Sequence, residues 1–347
     1  MNIHPVEKFL SEGGTICQLK SAPYHLNIRE ELSDGGKPVL VIDYDQINSP
    51  RFNSLTDACR GIVLCQETNK VVCWPFNRFY NAGENSLQEK EFDWDTAVCA
   101  SKEDGSLIKV YHFDGRWNIA TRGTAFARNT IYNLIGEESK ITFAELFLRT
   151  LNLDDAGFQE YCNASFIAGE TVLFELCTKE NRVVTTYEND VVFVLGIRNR
   201  DGEEGTIMSI KLIDGMENVG IHAMYDMDGV ISAARELTGL REGFVVRDIH
   251  FNRVKVKSPV YVIAHHSKGS VLTPRRAVDL ILLNEQYEFI SYFPEYKDFI
   301  GRYETRYVNI LRDAQLAFDT FNHIEDKKEF ALKVKDYAFS CLVFSMR

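Results

Sequence analysis

The chain has 347 residues, and its 39 Lys and Arg against 50 Asp and Glu give a formal net charge of −11. Hydrophobic residues at 45% and charged residues at 26% are values of a globular protein, so a disordered or collagen-like chain is excluded. The length exceeds what one core usually serves, so we expect two domains. The acidic balance argues against a protein that coats nucleic acid indiscriminately, although it leaves room for a local basic groove.

Neither a membrane span nor a secretory signal is expected. The apolar stretches are short, as in residues 191–197, far below the ~20 residues needed to cross a bilayer. The first residues, MNIHPVEKFLSEGG, contain no apolar segment of the kind that a signal peptide carries. The 8 cysteines form no C-x-x-C pair and mostly lie in apolar runs. We therefore interpret them as reduced, buried thiols of a cytoplasmic protein, in the host cytoplasm if the source is viral.

Up to about residue 260, short strands separated by turn signals are predicted. Residues 61–74 fit a hairpin, and Asp114-Gly115 is a strong hairpin dipeptide between two further strands. The predicted strands are residues 38–44, 61–74 as a hairpin, 107–112, 117–122, 171–178, 183–187, 191–198, 244–248 and 253–257. Helical spacing of apolar residues predicts three helices among them, at residues 127–135, 143–151 and 230–237.

After Pro259 the pattern changes to helical spacing at residues 274–293, 303–321 and 327–344. We therefore predict an α+β fold: an antiparallel-sheet domain over residues 1–262, followed by a small all-α domain over residues 263–347.

The sharpest local feature is the pentapeptide Lys102-Glu103-Asp104-Gly105-Ser106 between two predicted strands. Because Asp-Gly is common turn chemistry, the pentapeptide by itself also fits a solvated turn. In the functional interpretation, Lys102 at the end of a strand is a nucleophile. An amine attacks only when neutral, and an unperturbed lysine has a pKa of about 10.4, so burial or nearby cations would have to lower the pKa of Lys102.

Two further lysines alternate on one predicted strand. Lys255 and Lys257 point to the same face because side chains alternate along a strand. They could supply the positive field for a nucleophilic lysine and hold a triphosphate. Taken alone, the two lysines are better explained by an exposed edge strand, where lysine is common.

These residues belong to a series of motifs in a particular order. The motifs are Cys59-Arg60-Gly61, residues 75–81 (PFNRFYN), the Lys102 pentapeptide, Phe174-Glu175-Leu176, residues 242–247 (EGFVVR) and residues 254–257 (VKVK). With them the sequence resembles the covalent nucleotidyltransferase superfamily of ATP-dependent ligases and capping enzymes, and within it the RNA ligase 1 family of the T-even phages. The match covers roughly residues 35–265. It implies an antiparallel-sheet nucleotidyltransferase domain, an ATP-grasp-like ligase fold.

The resemblance implies that Lys102 attacks the α-phosphorus of ATP and becomes a lysyl-AMP. Asp104 and Gly105 would form the turn that aims Lys102, and Glu103 would help to recognise adenine, largely through its backbone. Lys255 and Lys257 match the last motif, the pair that grips the α-phosphate and stabilises the charge that develops during transfer.

The resemblance also implies a metal site and a nucleotide pocket. Glu175 and Glu242 are similar to the family carboxylates that contact the ribose or position hydrated Mg²⁺ (or Mn²⁺), and Asp104 could hold a metal-bound water. Arg60 is similar to the arginine that contacts the nucleotide and positions the 5′-phosphate. Tyr44 resembles an aromatic residue of the ATP pocket, although a tyrosine of a core strand fits the position as well.

The sequence departs from the family pattern at two positions. Arg78 stands where these ligases typically carry a lysine, and Arg122 replaces a lysine of the phosphate-binding group. Arginine keeps the charge but differs in reach and geometry. We expect ATP binding to survive both replacements.

The expected partner is RNA with 5′-phosphate and 3′-hydroxyl ends, and the resemblance suggests broken tRNA. Residues 253–276 contain no Asp or Glu and form a basic stretch that could receive an RNA backbone. We expect a monomeric, ATP-dependent RNA ligase whose helical domain selects the RNA. Two alternatives remain: another polynucleotide ligase of the superfamily acting on nicked duplexes, or a catalytically silent relative that binds nucleotide or RNA. The OB-fold of DNA ligases is disfavoured because no strands are predicted after Pro259.

Overall fold

The computed structural model describes residues 3–84, 92–132, 138–205, 210–268, 272–282, 286, 290, 296–335, 337 and 339–346. The chain divides into two compact units, Met1–Val262 and Ile263–Arg347. The first unit combines antiparallel sheets with helices, and the described residues of the second are helical, so the predicted α+β class is confirmed at this level.

Seventeen strands are found in the described part of the first unit. In chain order they are β1 (Leu26–Leu32), β2 (Pro38–Tyr44), β3 (Arg60–Cys65), β4 (Lys70–Cys73), β5 (Tyr80–Asn81), β6 (Val98–Lys102), β7 (Ser106–Phe113), β8 (Arg116–Thr121), β9 (Thr130–Tyr132), β10 (Glu138–Thr142), β11 (Thr171–Cys177), β12 (Val191–Arg198), β13 (Glu204–Gly205), β14 (Met216–Asn218), β15 (Ile221–His222), β16 (Gly243–Arg247) and β17 (Arg253–Lys257).

Most of the helices are short, apart from one long helix near the end of the chain. In chain order they are α1 (Pro5–Ser11), α2 (Ile16–Lys20), α3 (Ser54–Ala58), α4 (Phe143–Thr150), α5 (Asp155–Ser165), α6 (Met227–Arg235), α7 (Pro259–Lys268), α8 (Pro274–Leu282), α9 (Lys297–Phe321), α10 (Lys327–Val334) and α11 (Ser340–Ser345).

Three sheets and a two-stranded ribbon are found among the described residues of the first unit. The first sheet has the order β1-β2-β3-β4, and the ribbon is β10-β9. The central sheet has the order β13-β12-β11-β7-β8, with β14 parallel to β12. The third sheet has the order β15-β6-β16-β17-β5, in which β5 is parallel to β17 and the other pairs are antiparallel.

The alternation of side chains decides which face of each sheet carries polar residues. On β11, Phe174 packs into the core under α4 and α5, so Glu175 points to the opposite face. In the third sheet, Phe244 and Val254 pack with Val230 of α6. The other face of that sheet therefore carries Lys102, Lys255 and Lys257 and is free to line a cavity.

The Asp114-Gly115 hairpin is confirmed. Both residues have positive φ, 55° and 77°, which is the backbone that a two-residue type I′ turn requires. The dipeptide joins β7 to β8, which are antiparallel and pair from Ile108 with Thr121 to Phe113 with Arg116. The predicted hairpin at residues 61–74 is also present, as β3 and β4.

The predicted strand at residues 183–187 is wrong, because this segment is a loop. The backbone N–H groups of Val184 and Thr185 donate to the side chain of Asp104 instead of to a neighbouring strand. The predicted helix at residues 127–135 is also wrong in its described part, where β9 pairs with β10. Residues 133–135 lie outside the described residues.

The described part of the second unit consists of helices around a small apolar core. Ala314 and Ala317 of α9 pack against Phe330 and Val334 of α10 and Val343 of α11. The helix predicted at residues 327–344 is divided into α10 and α11. For the helix predicted at residues 274–293, α8 is present up to Leu282, and most of the remainder lies outside the described residues.

No helix in the described part of the chain is long and apolar enough to cross a membrane. All eight cysteines are free thiols, and six of them are buried, as the apolar sequence around them predicts.

Candidate active site

A cavity of about 680 Å³ lies between the central and third sheets of the first unit. Most of the predicted site residues line it. They are Tyr44, Arg60, Lys102, Glu103, Arg122, Glu175, Lys255 and Lys257. The other three predicted site residues, Arg78, Asp104 and Glu242, are not among the lining residues.

The register of the third sheet places the two motif lysines on either side of a glycine. Gly243 of β16 pairs with Lys102 of β6 on one side and with Lys257 of β17 on the other. Its φ is +146°, and a Cβ at this position would collide with the backbone at Val256 and Lys257. The glycine after Glu242 therefore lets the three strands close up and brings the two lysines together.

Glu242 joins the two lysines. Its Oε2 accepts a hydrogen bond from Lys102 Nζ at 2.6 Å, and its Oε1 contacts Lys257 Nζ at 2.8 Å. The Glu242 side chain is 4% exposed and that of Lys102 is 23% exposed. A buried carboxylate is costly unless it is paired, and here both oxygens are paired with ammonium groups.

This pairing reverses the expected direction of the Lys102 pKa. Burial lowers the pKa of Lys102, but the carboxylates of Glu242 and Glu175 outweigh burial, and the pKa lies above its ordinary value. Lys102 is therefore an ammonium in this structure. The expected lowering of the Lys102 pKa is therefore wrong for the protein without bound ATP. The sequence could not show that Glu242 lies between Lys102 and Lys257.

Asp104 anchors the turn after Lys102. Its side chain is 3% exposed, and its Oδ2 accepts from the backbone N–H groups of Val184 and Thr185, both at 2.7 Å. Its Oδ1 accepts from the hydroxyl of Tyr261 at 2.6 Å. Both oxygens are thus engaged by the protein, and Asp104 fixes the loop that follows the nucleophile candidate.

Two tyrosines missed as site residues support the same turn. The hydroxyl of Tyr187 accepts from the backbone N–H of Asp104 at 2.8 Å and donates to Oε2 of Glu103 at 3.1 Å. Tyr261 is 1% exposed, as expected of a core aromatic residue, yet its hydroxyl reaches Asp104. No local motif marks either residue, because each lies 83 or 157 positions from Asp104.

Glu175 lies next to the loop that follows Lys102, and its carboxyl group has a strongly raised pKa. Its Oε1 accepts from the backbone N–H of Gly105 at 3.2 Å. Burial raises its pKa to about 7, with a further contribution from the Glu242 carboxylate, while Lys102 and Arg60 act in the opposite direction. Its charge can therefore change near neutral pH.

The two arginines that replace family lysines share one aromatic ring. The guanidinium carbon of Arg78 lies 4.1 Å from the ring centroid of Tyr44, and that of Arg122 lies 4.5 Å from it. Arg122 also donates to both oxygens of Asp43, at 2.9 and 3.0 Å. A planar guanidinium can stack and bind a carboxylate with two donors at once, and an ammonium cannot.

A cationic group converges beside Phe79. The guanidinium carbon of Arg60 lies 5.1 Å from the Phe79 ring centroid, and Nζ of Lys255 lies 5.7 Å from it. Burial lowers the pKa of Lys255 to about 8, with further lowering by the neighbouring cations Lys257, Lys102 and Arg60. This end of the cavity therefore favours an anion, which would offset the repulsion between the cations.

The backbone at residue 61 explains why the Cys59-Arg60-Gly61 motif ends in a glycine. Its φ is +73°, a Cβ would collide with the carbonyl of Arg122, and its own carbonyl accepts from the buried ammonium of Lys109. We expect Gly61→Ala to lower the free energy of unfolding by ~3 kcal/mol, because left-handed strain and the collision add. Chemical denaturation checks this value.

Gly36→Ala is the matched control. Gly36 has φ +82°, and no atom lies within 4 Å of the position that a Cβ would take, so only the backbone strain of ~1 kcal/mol is expected. Equal losses for the two variants would contradict the close approach of Gly61 to Arg122.

The three carboxylates predicted to hold a metal differ in their fit. The described residues contain no group of three or more His, Cys, Asp or Glu side chains that could hold a metal ion. The oxygens of Asp104 and Glu242 are all bonded to protein donors. Glu175 keeps one oxygen, Oε2, without a hydrogen bond from the described residues, and it is the carboxylate that fits a metal-bound water.

The sequence profile of the RNA ligase family matches residues 58–261, more than half of the chain. The chain therefore belongs to the RNA ligase family. The family assignment agrees with the predicted resemblance to RNA ligase 1.

Among curated relatives, a putative bifunctional polynucleotide kinase/RNA ligase of Autographa californica nuclear polyhedrosis virus is 28% identical over 321 residues, covering 89% of this chain and 45% of the relative. An RNA ligase of Rhodothermus phage RM378 is 25% identical over 350 residues, covering 81% of this chain and 78% of that protein. The chain thus spans less than half of the first relative. Among solved structures, an archaeal ATP-dependent RNA ligase is 16% identical with a TM-score of 0.49, over 90% of this chain and 82% of that one.

Proposed function

We propose that the protein is an ATP-dependent RNA ligase that joins a 5′-phosphate to a 3′-hydroxyl through a lysyl-AMP and an RNA-adenylate. The observation that supports this most is the position of Lys102, which lies in a cavity beside Lys255, Lys257 and Arg60. Such a group of cations around one lysine suits attack on a phosphate. Family membership supports the class of reaction, and the position of these cations supports the choice of Lys102 as the nucleophile.

In the first step, the Lys102 ammonium gives a proton to the Glu242 carboxylate that it contacts, and its neutral Nζ attacks the α-phosphorus of ATP. A P–N bond forms, the bond to the bridging oxygen breaks, and pyrophosphate leaves with the electron pair, while the nitrogen releases its second proton to water. Lys257 and Lys255 lie on the same face as Lys102 and would stabilise the charge on the α-phosphate oxygens. Arg60 and Arg122 would hold the remaining phosphates, with Arg78 stacked on Tyr44.

In the second step, an oxygen of the RNA 5′-phosphate attacks the adenylyl phosphorus, and the Lys102 nitrogen leaves as an amine that takes up a proton. In the third, the 3′-hydroxyl attacks the RNA 5′-phosphorus, loses its proton and expels AMP. The hydrogen bonds of Asp104, Tyr187 and Tyr261 join the turn after Lys102 to the segments around it, so the proposed role of these residues is to hold that turn in place.

A divalent ion, Mg²⁺ or Mn²⁺, would neutralise phosphate charge when bound. Of the three predicted carboxylates, Glu175 would hold it through a water molecule. We do not assign direct metal ligation to Asp104 or Glu242, because protein donors already engage both oxygens of each.

We propose different roles for the two units. The first unit would be the nucleotidyltransferase domain, with the ATP-grasp-like ligase fold, and the helical unit would select the RNA, with broken tRNA among the candidates to be assayed. Of the acid-free stretch, Arg253, Lys255 and Lys257 line the cavity, and Arg253 is paired there with Glu204. We further propose a monomer in the cytoplasm.

Labelled ATP and single-stranded RNA test this function directly. The protein is incubated with α-labelled ATP and Mg²⁺ or Mn²⁺, and then with 5′-phosphorylated RNA. Covalent label on the protein, transfer of the label to RNA and a joined or circular product are expected. Labelled protein without joined RNA would reduce the function to nucleotidyl transfer, and joining only at a nick would favour the duplex-specific alternative.

The pKa of Lys255 predicts a pH dependence of ATP binding. Because burial and nearby cations lower this pKa to about 8, Lys255 is charged below pH 8 and loses its charge above it. The ATP concentration that half-saturates lysyl-AMP formation should therefore rise about fivefold between pH 8 and pH 9. Lys255→Arg, which stays charged, should flatten this rise. A wild-type value that stays constant to pH 9.5 would contradict the prediction.

A further inference from the structure

The cavity continues beyond the residues assigned to ATP. On its floor, the paired strands of the third sheet form three rows of side chains. From the nucleophile outward, the rows are Lys102, Gly243 and Lys257; Ala100, Val245 and Lys255; and Val98, Arg247 and Arg253. Because residues four apart on a strand are separated by about 13 Å, the last row lies well away from Lys102.

In the last row, Arg253 donates its guanidinium N–H groups to Glu204, whereas Arg247 lies too far from that carboxylate to do so. Its side chain is 34% exposed and lines the cavity. Its contact with Glu204 is long, 3.9 Å, because Arg253 already donates to both oxygens of that carboxylate. Burial and the neighbouring Arg253 lower the pKa of Arg247, so an anion bound here would relieve repulsion between the two guanidinium groups.

An aromatic ring stands beside Arg247 in an unusual backbone conformation. Phe251, in the turn between β16 and β17, has a φ of +62°, a region that bulky side chains rarely occupy. Hydrogen bonds inside the turn hold it there, from Phe251 N to Asp248 O at 3.1 Å and from Asn252 N to Asp248 Oδ1 at 2.9 Å. The ring centroid lies 5.4 Å from the Arg247 guanidinium carbon. Strain of this kind often accompanies function.

The rim around this pair is apolar and open. Ile249 is 60% exposed, Ile221 is 59% exposed, and both line the cavity. A ring face, apolar edges and a guanidinium are what a nucleotide of a single strand requires, since the base stacks and the phosphate needs a cation.

We propose that Arg247 and Phe251 form a subsite for one nucleotide of the RNA strand whose end is joined. The base stacks on Phe251 against the Ile249 edge, and Arg247 binds the adjoining phosphate. The inference rests on the proposed ligase function and extends it to a contact with the strand. ATP is assigned to the first two rows, where Lys102, Lys257 and Lys255 lie, so the third row is left for the polynucleotide.

The test measures RNA and ATP separately in the full-length protein. Arg247→Gln removes the charge, and Phe251→Asn removes the ring while tolerating a positive φ. Arg235→Gln, at an exposed arginine of α6, is the charge-matched control. Binding of a 5′-phosphorylated single-stranded RNA is followed by fluorescence anisotropy at several salt concentrations, and lysyl-AMP formation is followed against ATP concentration without RNA.

Each variant of the subsite should weaken RNA binding about tenfold, while the ATP dependence of lysyl-AMP formation stays within about twofold of wild type. Arg247→Gln should also reduce the salt dependence by about one phosphate contact, and Phe251→Asn should not. The control should change neither quantity.

A rise in the ATP requirement with unchanged RNA affinity would overturn the proposal and assign both residues to the adenosine pocket. Unchanged RNA binding in both variants would also overturn it. Failure of the proposed function is seen separately, in wild-type protein that forms no lysyl-AMP or joins no RNA. A wild type that binds RNA through Arg247 and Phe251 without joining it would retain the subsite and lose the ligase assignment.

Discussion

Replacing Lys102 with methionine should abolish the covalent attachment of AMP to the protein. Methionine keeps much of the side-chain length but has no amine, so no P–N bond can form. It also leaves Glu242 with one ammonium partner, Lys257, instead of two. Labelling with α-labelled ATP, read on a denaturing gel, should fall to background.

The same variant shows whether a loss of labelling comes from the missing amine or from misfolding of the protein. RNA that already carries a 5′-adenylate has its phosphate activated, so the last step does not require an amine at residue 102. Lys102→Met should therefore still join such RNA, at a reduced rate, because the remaining cations are in place. Lys179→Met, at an exposed lysine, is the control and should label like wild type. Full labelling of Lys102→Met would place the nucleophile elsewhere.

The fold was predictable where local chemistry decides it. Asp114-Gly115 predicts a hairpin because few other dipeptides accept positive φ at both positions, and the structure has it there. The segment 183–187 has the apolar, β-branched composition of a strand, but Asp104 takes its N–H groups. A competing partner about 80 positions away leaves no local trace, so such errors are expected from sequence alone.

The residues of the candidate site could be predicted from the sequence, but the ion pairs between them could not. The order of the motifs identified most of the residues that line the cavity. It did not show that Glu242 bridges Lys102 and Lys257, and the direction of the Lys102 pKa depends on that bridge. Tyr187 was missed for the same reason, because its role exists only in three dimensions.

Ion pairs around the cavity explain how an acidic protein can hold a cluster of cations. Several cations of the cavity and its floor are held by buried or half-buried carboxylates: Glu242 holds Lys102 and Lys257, Asp43 holds Arg122, and Glu204 holds Arg253. Positive charge can be concentrated without unfolding the site because these carboxylates offset it. The net charge of −11 is therefore compatible with a site for phosphates.

Glu204 gives the largest expected effect on stability. Arg253 of the third sheet donates two hydrogen bonds to Glu204 of the central sheet, and the side chains are 9% and 4% exposed. Glu204→Gln would leave the buried guanidinium of Arg253 without its carboxylate partner and would remove a charge that stabilises the nearby Arg198 and Arg247. Removing one partner of a buried pair costs about 3 kcal/mol or more, so urea denaturation should show a loss of that size.

Asp34→Asn provides the contrast that identifies burial as the cause. Asp34 is 60% exposed and pairs with Arg116 and Arg128 at the surface, where ion pairs contribute ~1 kcal/mol or less. Added salt should erase most of the Asp34 effect and little of the Glu204 effect, since a desolvated pair is screened weakly. Similar small losses in both variants would mean that the link between the two sheets does not depend on the Glu204 charge. The opening of the cavity would then have to be held by the apolar contacts around it.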